Sequence, residues 1–370
     1  MNILQVCTAF GCGGIGRHAV DLGLWLRRHD HVVYFAGSPG ENMDVTRDNG
    51  YLPLEIEQVS SGNNIYVRVI HVIKSAIELR HFLKKNKIEI IHCHESAAAI
   101  VVGIATIGIS TPILLTYHGS EPERIRGFSR VGKLTADQII TPSYRSAADL
   151  IGLGGLEKSK VRVIGLGVKN HPSVKAEKII SLRKKLLRNN AKHLIVVIAR
   201  IEYQKGIDIL IKVVKKLSQH RQDFQIVVVG DGSLLNEMKA LSKSTQVDHL
   251  IQFIGFSDQP YTYLQASDLF LLTSRWEALP ISIVEAFRAG LPVVAADTSG
   301  VEELVDSSVG GVVPIGNIER FTLTILRILD DDPLRAKMST SALKRSAEDR
   351  FSPDYIHKIF EKNYESILGD

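Results

Sequence analysis

Cysteine is scarce in this chain: 370 residues contain three, Cys7, Cys12 and Cys93, an odd number with no Cys-x-x-Cys spacing. That disfavours a disulfide scaffold and a structural zinc site, and a reducing cytoplasm is the compartment that fits. Long apolar runs are missing too. The longest, 97–109, spans about 13 residues, whereas a helix needs roughly 20 to cross a bilayer, so no membrane span is expected. Residues 1–7 lack a basic leader and run straight into glycines, which reads as a first strand and not a signal peptide. No internal repeat of 20–50 residues occurs, which removes solenoids and propellers. The positive surplus is small, formally +5. No nucleic-acid-reading motif accompanies it, so neither DNA nor RNA is implied as a partner.

What is present is an ordinary globular composition, 45% hydrophobic and 23% charged, in a chain longer than one core usually supports. Two domains are expected. Strand-like runs alternate with helical patterns in each half, the arrangement that builds parallel sheets from βαβ units. The runs are 3–7, 31–36, 88–93, 113–117 and 138–141, then 193–199, 225–230, 251–254, 269–273 and 293–295. After Gly206, the residues Ile207, Leu210, Ile211, Val214 and Leu217 recur at the spacing of one helix face. A charged segment, 169–192, opens with His171-Pro172 and puts a boundary near 170. The expected fold is therefore α/β, with two Rossmann-like doubly wound domains facing a central cleft. Their bounds are 1–170 and 171–351, with the closing helix 352–370 a candidate to pack back on the first domain. Ligands of such folds sit beyond the carboxyl ends of the strands, so informative loops should directly follow strands.

Four loops do. Gly11-Cys12-Gly13-Gly14-Ile15-Gly16-Arg17-His18 formally matches GxGxxG, whose glycines let backbone N–H groups approach a diphosphate. A dinucleotide site also wants an acidic residue ending strand two. None precedes Glu41, so NAD is disfavoured, while a tight structural turn stays open. Thr116-Tyr117-His118-Gly119 places a histidine where it could bond a sugar hydroxyl or steady charge, unless it is simply solvated. Ala199 to Gly206 carries Arg200 and Lys205, two cations able to neutralise a diphosphate, or else a solvated basic loop. The segment from Ser274 to Ala286 holds Glu277 and Glu285, eight apart, around the first turn of a helix whose free amides favour phosphate. His92-Cys93-His94-Glu95 is metal-like in composition, but adjacent strand residues point to opposite faces.

In order along the chain, GGIGRH, Tyr117-His118-Gly119, RxxxxKG at Arg200 to Gly206, VGDG at Val229 to Gly232 and Glu277-x7-Glu285 resemble the large family-four group of retaining GT-B glycosyltransferases. The resemblance covers nearly the whole chain. It implies transfer of a sugar from a UDP- or GDP-sugar donor to a glycan or lipid-linked acceptor, in polysaccharide or glycolipid biosynthesis, with no metal and no cofactor. By the same resemblance Arg200 and Lys205 hold the donor diphosphate, with the Gly14–Gly16 loop and amides near Ile281 and Ser282. Glu285 takes the ribose, Ile254 and Phe256 lie near the base, and Glu277 and His118 flank the sugar. Catalysis is thereby assigned to His118, Glu277, Arg200 and Lys205. Where relatives show EGFG, this chain has Glu277-Ala278-Leu279-Pro280, and a proline offers no N–H. The lone acidic triplet, Asp330-Asp331-Asp332, stands before Pro333 and reads as a helix cap.

Two basic features fall in the first half. Lys74, Arg80, Lys84, Lys85 and Lys87 lie on an expected helix, and Arg124, Arg126, Arg130 and Lys133 on a short linker after His118. They are candidates for peripheral contact with the inner face of a membrane, or are ordinary solvated faces. A sugar-nucleotide epimerase of GT-B architecture is the alternative activity.

Overall fold

The computed structural model describes residues 1–11, 14–40, 50–56 and 64–369; Cys12, Gly13 and Glu41 lie outside them. The chain divides into two units, Met1–Gly167 with Pro353–Asp370, and Val168–Ser352.

The first unit runs β1 (Asn2–Ala9), α1 (Gly14–Arg27), β2 (Val32–Ser38), β3 (Tyr51–Pro53), α2 (Ile65–Asn86), β4 (Ile90–Cys93), α3 (Ser96–Ala105), β5 (Ile113–Thr116), α4 (Pro122–Thr135), β6 (Gln138–Thr141), α5 (Tyr144–Gly152) and β7 (Val161–Val163). Its seven strands lie in the order β3-β2-β1-β4-β5-β6-β7, and every neighbouring pair is parallel. The second unit holds α6 (Ala176–Leu186), β8 (His193–Ile198), α7 (Ile207–Leu217), β9 (Phe224–Val229), α8 (Leu235–Ser244), β10 (Ile251–Gly255), α9 (Pro260–Gln265), β11 (Leu269–Leu272), α10 (Ile281–Arg288), β12 (Val293–Ala296), β13 (Gly310–Val313), α11 (Ile318–Asp330) and α12 (Asp332–Ser346). Here the order is β10-β9-β8-β11-β12-β13, again all parallel.

Parallel strands covered by helices on both faces must be apolar throughout, and β4, β5, β11 and β12 are buried at every position. Helix α7 buries Ile207, Leu210, Ile211, Val214 and Leu217 on one side of the second sheet, each worth roughly 1.5–3 kcal/mol of apolar transfer. Phe270, Ile283, Phe287 and Leu304 fill the other side.

Three short strands escape the sequence pattern. β3 and β7 have only three residues each, and β13 opens on two glycines, so none shows a strand-like apolar run. The stretch read as a linker after His118 is instead the helix α4. Pro122 suits a first turn, and Ile125, Ser129 and Gly132 recur at helical spacing on the buried side. Asp331 accepts a bond from the Leu334 amide at 2.8 Å and caps α12. Among the described residues no helix is long and apolar enough to cross a membrane.

The last helix, α13 (Pro353–Gly369), belongs to the first unit, and Ile356, Phe360 and Tyr364 enter its core beside Ile3, Leu22 and Phe35. Trp25 Nε1 donates to Asp354 Oδ1 at 2.8 Å. A buried polar layer fastens it further. The Tyr364 hydroxyl lies 2.6 Å from His92 Nδ1 and receives Gln5 Nε2 at 3.3 Å, while His92 Nε2 lies 2.6 Å from Thr116 Oγ1. Removing one partner strands the others without water to replace it. Tyr364→Phe should therefore cost about 1–3 kcal/mol by denaturant unfolding; an unchanged midpoint would show that the layer adds nothing.

Candidate functional site

Each sheet changes winding direction once, between β1 and β4 in the first unit and between β8 and β11 in the second. At such a point the two following loops part to opposite faces and leave a crevice at the carboxyl edge. In the second unit those loops are the ones carrying Arg200 and Lys205, and Glu277.

There Lys205 Nζ donates to Glu277 Oε1 at 2.6 Å, with side chains 17% and 8% exposed. Ser274 Oγ donates to the same oxygen at 2.7 Å. The backbone around the pair is tightly set. Gly206 has φ 61°, and a Cβ there would stand 2.2 Å from the Thr273 carbonyl oxygen. Thr273 Oγ1 in turn donates to the carbonyl oxygens of Lys205 and Gly206, at 3.2 and 3.0 Å. Arg275 was not singled out in the sequence, yet it locks the two loops. It donates to both Asp208 oxygens at 2.9 and 2.7 Å and to the Tyr203 carbonyl at 2.8 Å, with its guanidinium 4.0 Å from the Tyr203 ring centre. Arg200 stays exposed, its Nη2 3.4 Å from Gln204 Oε1.

Helix α10 starts at Ile281 behind Pro280, and no side chain caps its first turn, so the orphan amides there are those of Ile281 and Ser282. Glu285, one turn on, is 3.2 Å from His171 Nε2, and the His171 ring stacks on Tyr261 at 4.7 Å. His171 is the second residue that the sequence reading overlooked. Its partner is 114 positions away, too far for any local spacing to reveal. His171 and Tyr261 also line a cavity of about 370 Å³ with Lys175, Lys178 and Gln259. Ile254 lies part-buried one residue before the end of β10, and Phe256 beyond the strand is exposed.

In the first unit Gly16 sits buried in the first turn of α1, where a Cβ would meet the Gly11 carbonyl oxygen at 3.0 Å; Gly14 is exposed. His118 follows β5 on a loop pinned by the Tyr117 hydroxyl, which accepts from the Ser120 amide at 3.0 Å. Its ring lies 5.7 Å from His18 and 5.8 Å from His94. Gln5 Oε1 accepts from His94 Nε2 at 2.7 Å, which makes Nδ1 of a neutral His94 the unprotonated nitrogen. His94 Nδ1, His118 Nε2 and His18 Nε2 are all buried without a hydrogen-bond partner among the described residues. Burial lowers the pKa of His118 to about 4 and of His92 to about 3, the latter helped by His118. It drives His18 and His94 well down as well, with neighbouring histidines adding to the effect. The cluster is neutral at pH 7. Among the described residues, no three His, Cys, Asp or Glu side chains are arranged to hold a metal ion.

A doubly wound sheet with a charged switch-point crevice is the class of nucleotide-handling α/β proteins. Comparison with known proteins narrows it. Residues 178–345 match the profile of "Glycosyl transferases group 1", and residues 12–170 that of "Glycosyltransferase Family 4". An uncharacterized glycosyltransferase of Methanocaldococcus jannaschii is 25% identical across 94% of this chain and 92% of its own. The Escherichia coli UDP-Gal:alpha-D-GlcNAc-diphosphoundecaprenol alpha-1,3-galactosyltransferase is 28% identical across 72% of this chain and 73% of its own. The fold of Anabaena HepE, solved in complex with UDP-glucose, superposes with a TM-score of 0.82 at 21% identity, covering 99% of this chain and 100% of that one. The chain belongs to the GT-B glycosyltransferases, with a family 4 domain followed by a group 1 domain.

The histidine cluster sets a pH dependence. A histidine held below its ordinary pKa of 6.5 is protonated first in the unfolded chain, so its contribution is intact above pH 6.5 and lost as pH falls toward the folded value. For His92 alone the loss approaches about 1.4 kcal/mol per pH unit below 6.5. The denaturant midpoint should drop clearly between pH 7.5 and 5.5, and a flat profile would contradict the buried neutral cluster.

Proposed function

We propose that this glycosyltransferase moves a sugar, with retention at the anomeric carbon and without a metal ion, from a nucleoside-diphosphate sugar to a glycan or lipid-linked acceptor. The setting is polysaccharide or glycolipid assembly at the cytoplasmic face of a membrane. One observation carries the reading: the Lys205–Glu277 pair at 2.6 Å, at the switch point of the second sheet.

When the donor bond breaks, positive charge grows on the sugar and negative charge on the departing diphosphate. Fixed cations and amides aimed at that diphosphate lower the barrier without further reorganisation. Lys205 and exposed Arg200 are the cations of this reading, and the first-turn amides of Ile281 and Ser282 add helix-end donors. Glu277 orients Lys205 and receives a hydroxyl of the transferred sugar. His118, neutral at working pH, offers the sugar a hydrogen bond and no charge. Glu285 takes the ribose hydroxyls, with His171, itself stacked on Tyr261, holding its carboxylate, and Ile254 and Phe256 serve the base. For retention the acceptor attacks from the face that the diphosphate leaves. The acceptor proton then passes to the departing phosphate oxygen, so no protein base is needed.

Similar proteins support the substrate class: HepE binds UDP-glucose, and the E. coli relative takes UDP-Gal and a diphosphoundecaprenol-linked acceptor. Lys205→Ala should lower kcat on the order of 10²–10³-fold, the loss typical of one transition-state charge stabiliser, with the protein still folded at the assay temperature and the wild type insensitive to EDTA. Near-normal turnover, or inactivation by the chelator, would overturn the assignment. Glu285→Ala should instead raise donor KM by about tenfold or more with kcat less affected, since hydrogen bonds to a charged group are worth about 1.5–3 kcal/mol. An unchanged KM would remove Glu285 from the ribose.

A further inference from the structure

The switch point of the first sheet, between β1 and β4, holds a carboxylate that the proposed chemistry leaves unused. Glu95 stands two residues past the end of β4 and is part-buried. It immediately precedes α3 with extended backbone, φ −154° and ψ 156°, the usual place for a side chain that caps a helix, yet it makes no cap bond. The carboxylate crosses to β1 instead. There Oε2 accepts from the Thr8 amide at 2.8 Å, and the Thr8 hydroxyl donates to the same carboxylate. Glu95 therefore ties together the two strands at which the sheet reverses.

Burial raises the pKa of Glu95, and the Thr8 bonds oppose the rise. Its surroundings are uncharged: burial keeps Cys7 and Cys93 as thiols, and His18, His94 and His118 as neutral rings. Holding a carboxylate in such a place costs stability, and a perturbed group in a crevice is a candidate for ligand contact. A carboxylate offers roughly four lone-pair sites, so two bonds from Thr8 leave about half of them open. If Glu95 only pinned Thr8, a neutral amide oxygen would serve equally well.

Charge decides what the open sites receive. A carboxylate repels the donor diphosphate, whose proposed cations and helix amides lie in the second unit with Glu277 and Glu285. A hydrogen-bond donor free of negative charge fits, and the hydroxyl edge of a sugar is such a donor. We infer that Glu95 accepts hydrogen bonds from hydroxyls of the acceptor sugar and orients it, so that the acceptor brings a sugar ring, not a phosphate, to the first unit's switch point. The proton of the attacking hydroxyl still leaves on the departing phosphate. The inference deepens the proposed transfer and rests on that reading for the donor's place in the second unit.

The test is steady-state transfer by the full chain, with the nucleotide sugar that gives the largest thermal shift among UDP-, GDP- and ADP-sugars. The acceptors are octyl glycosides of glucose, galactose, mannose and N-acetylglucosamine, kept below micelle formation. Glu95→Gln keeps an oxygen for the Thr8 amide and loses the charge. Acceptor KM should rise about tenfold, with donor KM within about twofold and kcat less affected, because charged hydrogen bonds are about twice as strong as neutral ones. Glu95→Ala should raise acceptor KM on the order of 10–100-fold. An unchanged acceptor KM in both variants overturns the inference and leaves the proposed activity standing. So does a loss confined to kcat, which would make Glu95 a proton acceptor, or an equal rise in both KM values, which would mark a general loss of structure. If the wild type transfers to none of the glycosides, their calorimetric binding in the presence of the matching nucleoside diphosphate decides. Affinity lowered about tenfold by Glu95→Gln keeps the inference while the proposed activity falls; binding that is absent, or unchanged by the variant, ends it.

Discussion

Burying an ammonium and a carboxylate together costs several kcal/mol per ion before their attraction is counted, and a well-packed apolar pair often serves stability as well or better. Lys205 and Glu277 are nevertheless held at 2.6 Å with little exposure. Much of the second unit's crevice is shaped to keep them there. Gly206 lets the α7 loop press against the end of β11, Thr273 bonds that loop from the far side, and Arg275 ties it to Asp208. These contacts join loops from adjacent parallel strands at the one place where such loops diverge. The proposed chemistry supplies the reason for the expense: a preset cation is worth most where a diphosphate must leave.

The first unit solves a different problem. Four of its histidines, His18, His92, His94 and His118, are gathered beneath the loops of β1, β4 and β5 and kept neutral by burial. Hydrogen bonds with Gln5, Thr116 and Tyr364 fix the rings of His92 and His94. Because Tyr364 comes from the last helix, the far end of the chain helps set the geometry near His118. The second unit's crevice thus holds an ion pair, while the clustered histidines of the first are uncharged.

The alternation of strands and helices was legible because a parallel sheet buried on both faces demands continuous apolar runs, and ten such runs stand out. Strands of three residues, and one beginning Gly310-Gly311, carry no such demand and were invisible. Helix α4 reads as linker in the sequence because its surface is dominated by basic residues, and only Ile125, Ser129 and Gly132 are fully buried. In the site, residues that follow strands could be found by position. Arg275 and His171 could not, since each acts through a partner distant in sequence, Asp208 and Glu285. The convergence of His18, His94 and His118 likewise depends on strand order, which no local spacing encodes.

The central claim is that Lys205 and Glu277 act as one unit on the donor. A double-mutant cycle read in kcat/KM tests it, using the nucleotide sugar that gives the largest thermal shift among UDP-, GDP- and ADP-sugars. The account predicts strong non-additivity: Lys205→Ala and Glu277→Ala together should be scarcely worse than the more damaging single change. Losses that simply add would show two independent residues, and near-normal turnover by either single variant would contradict the account outright.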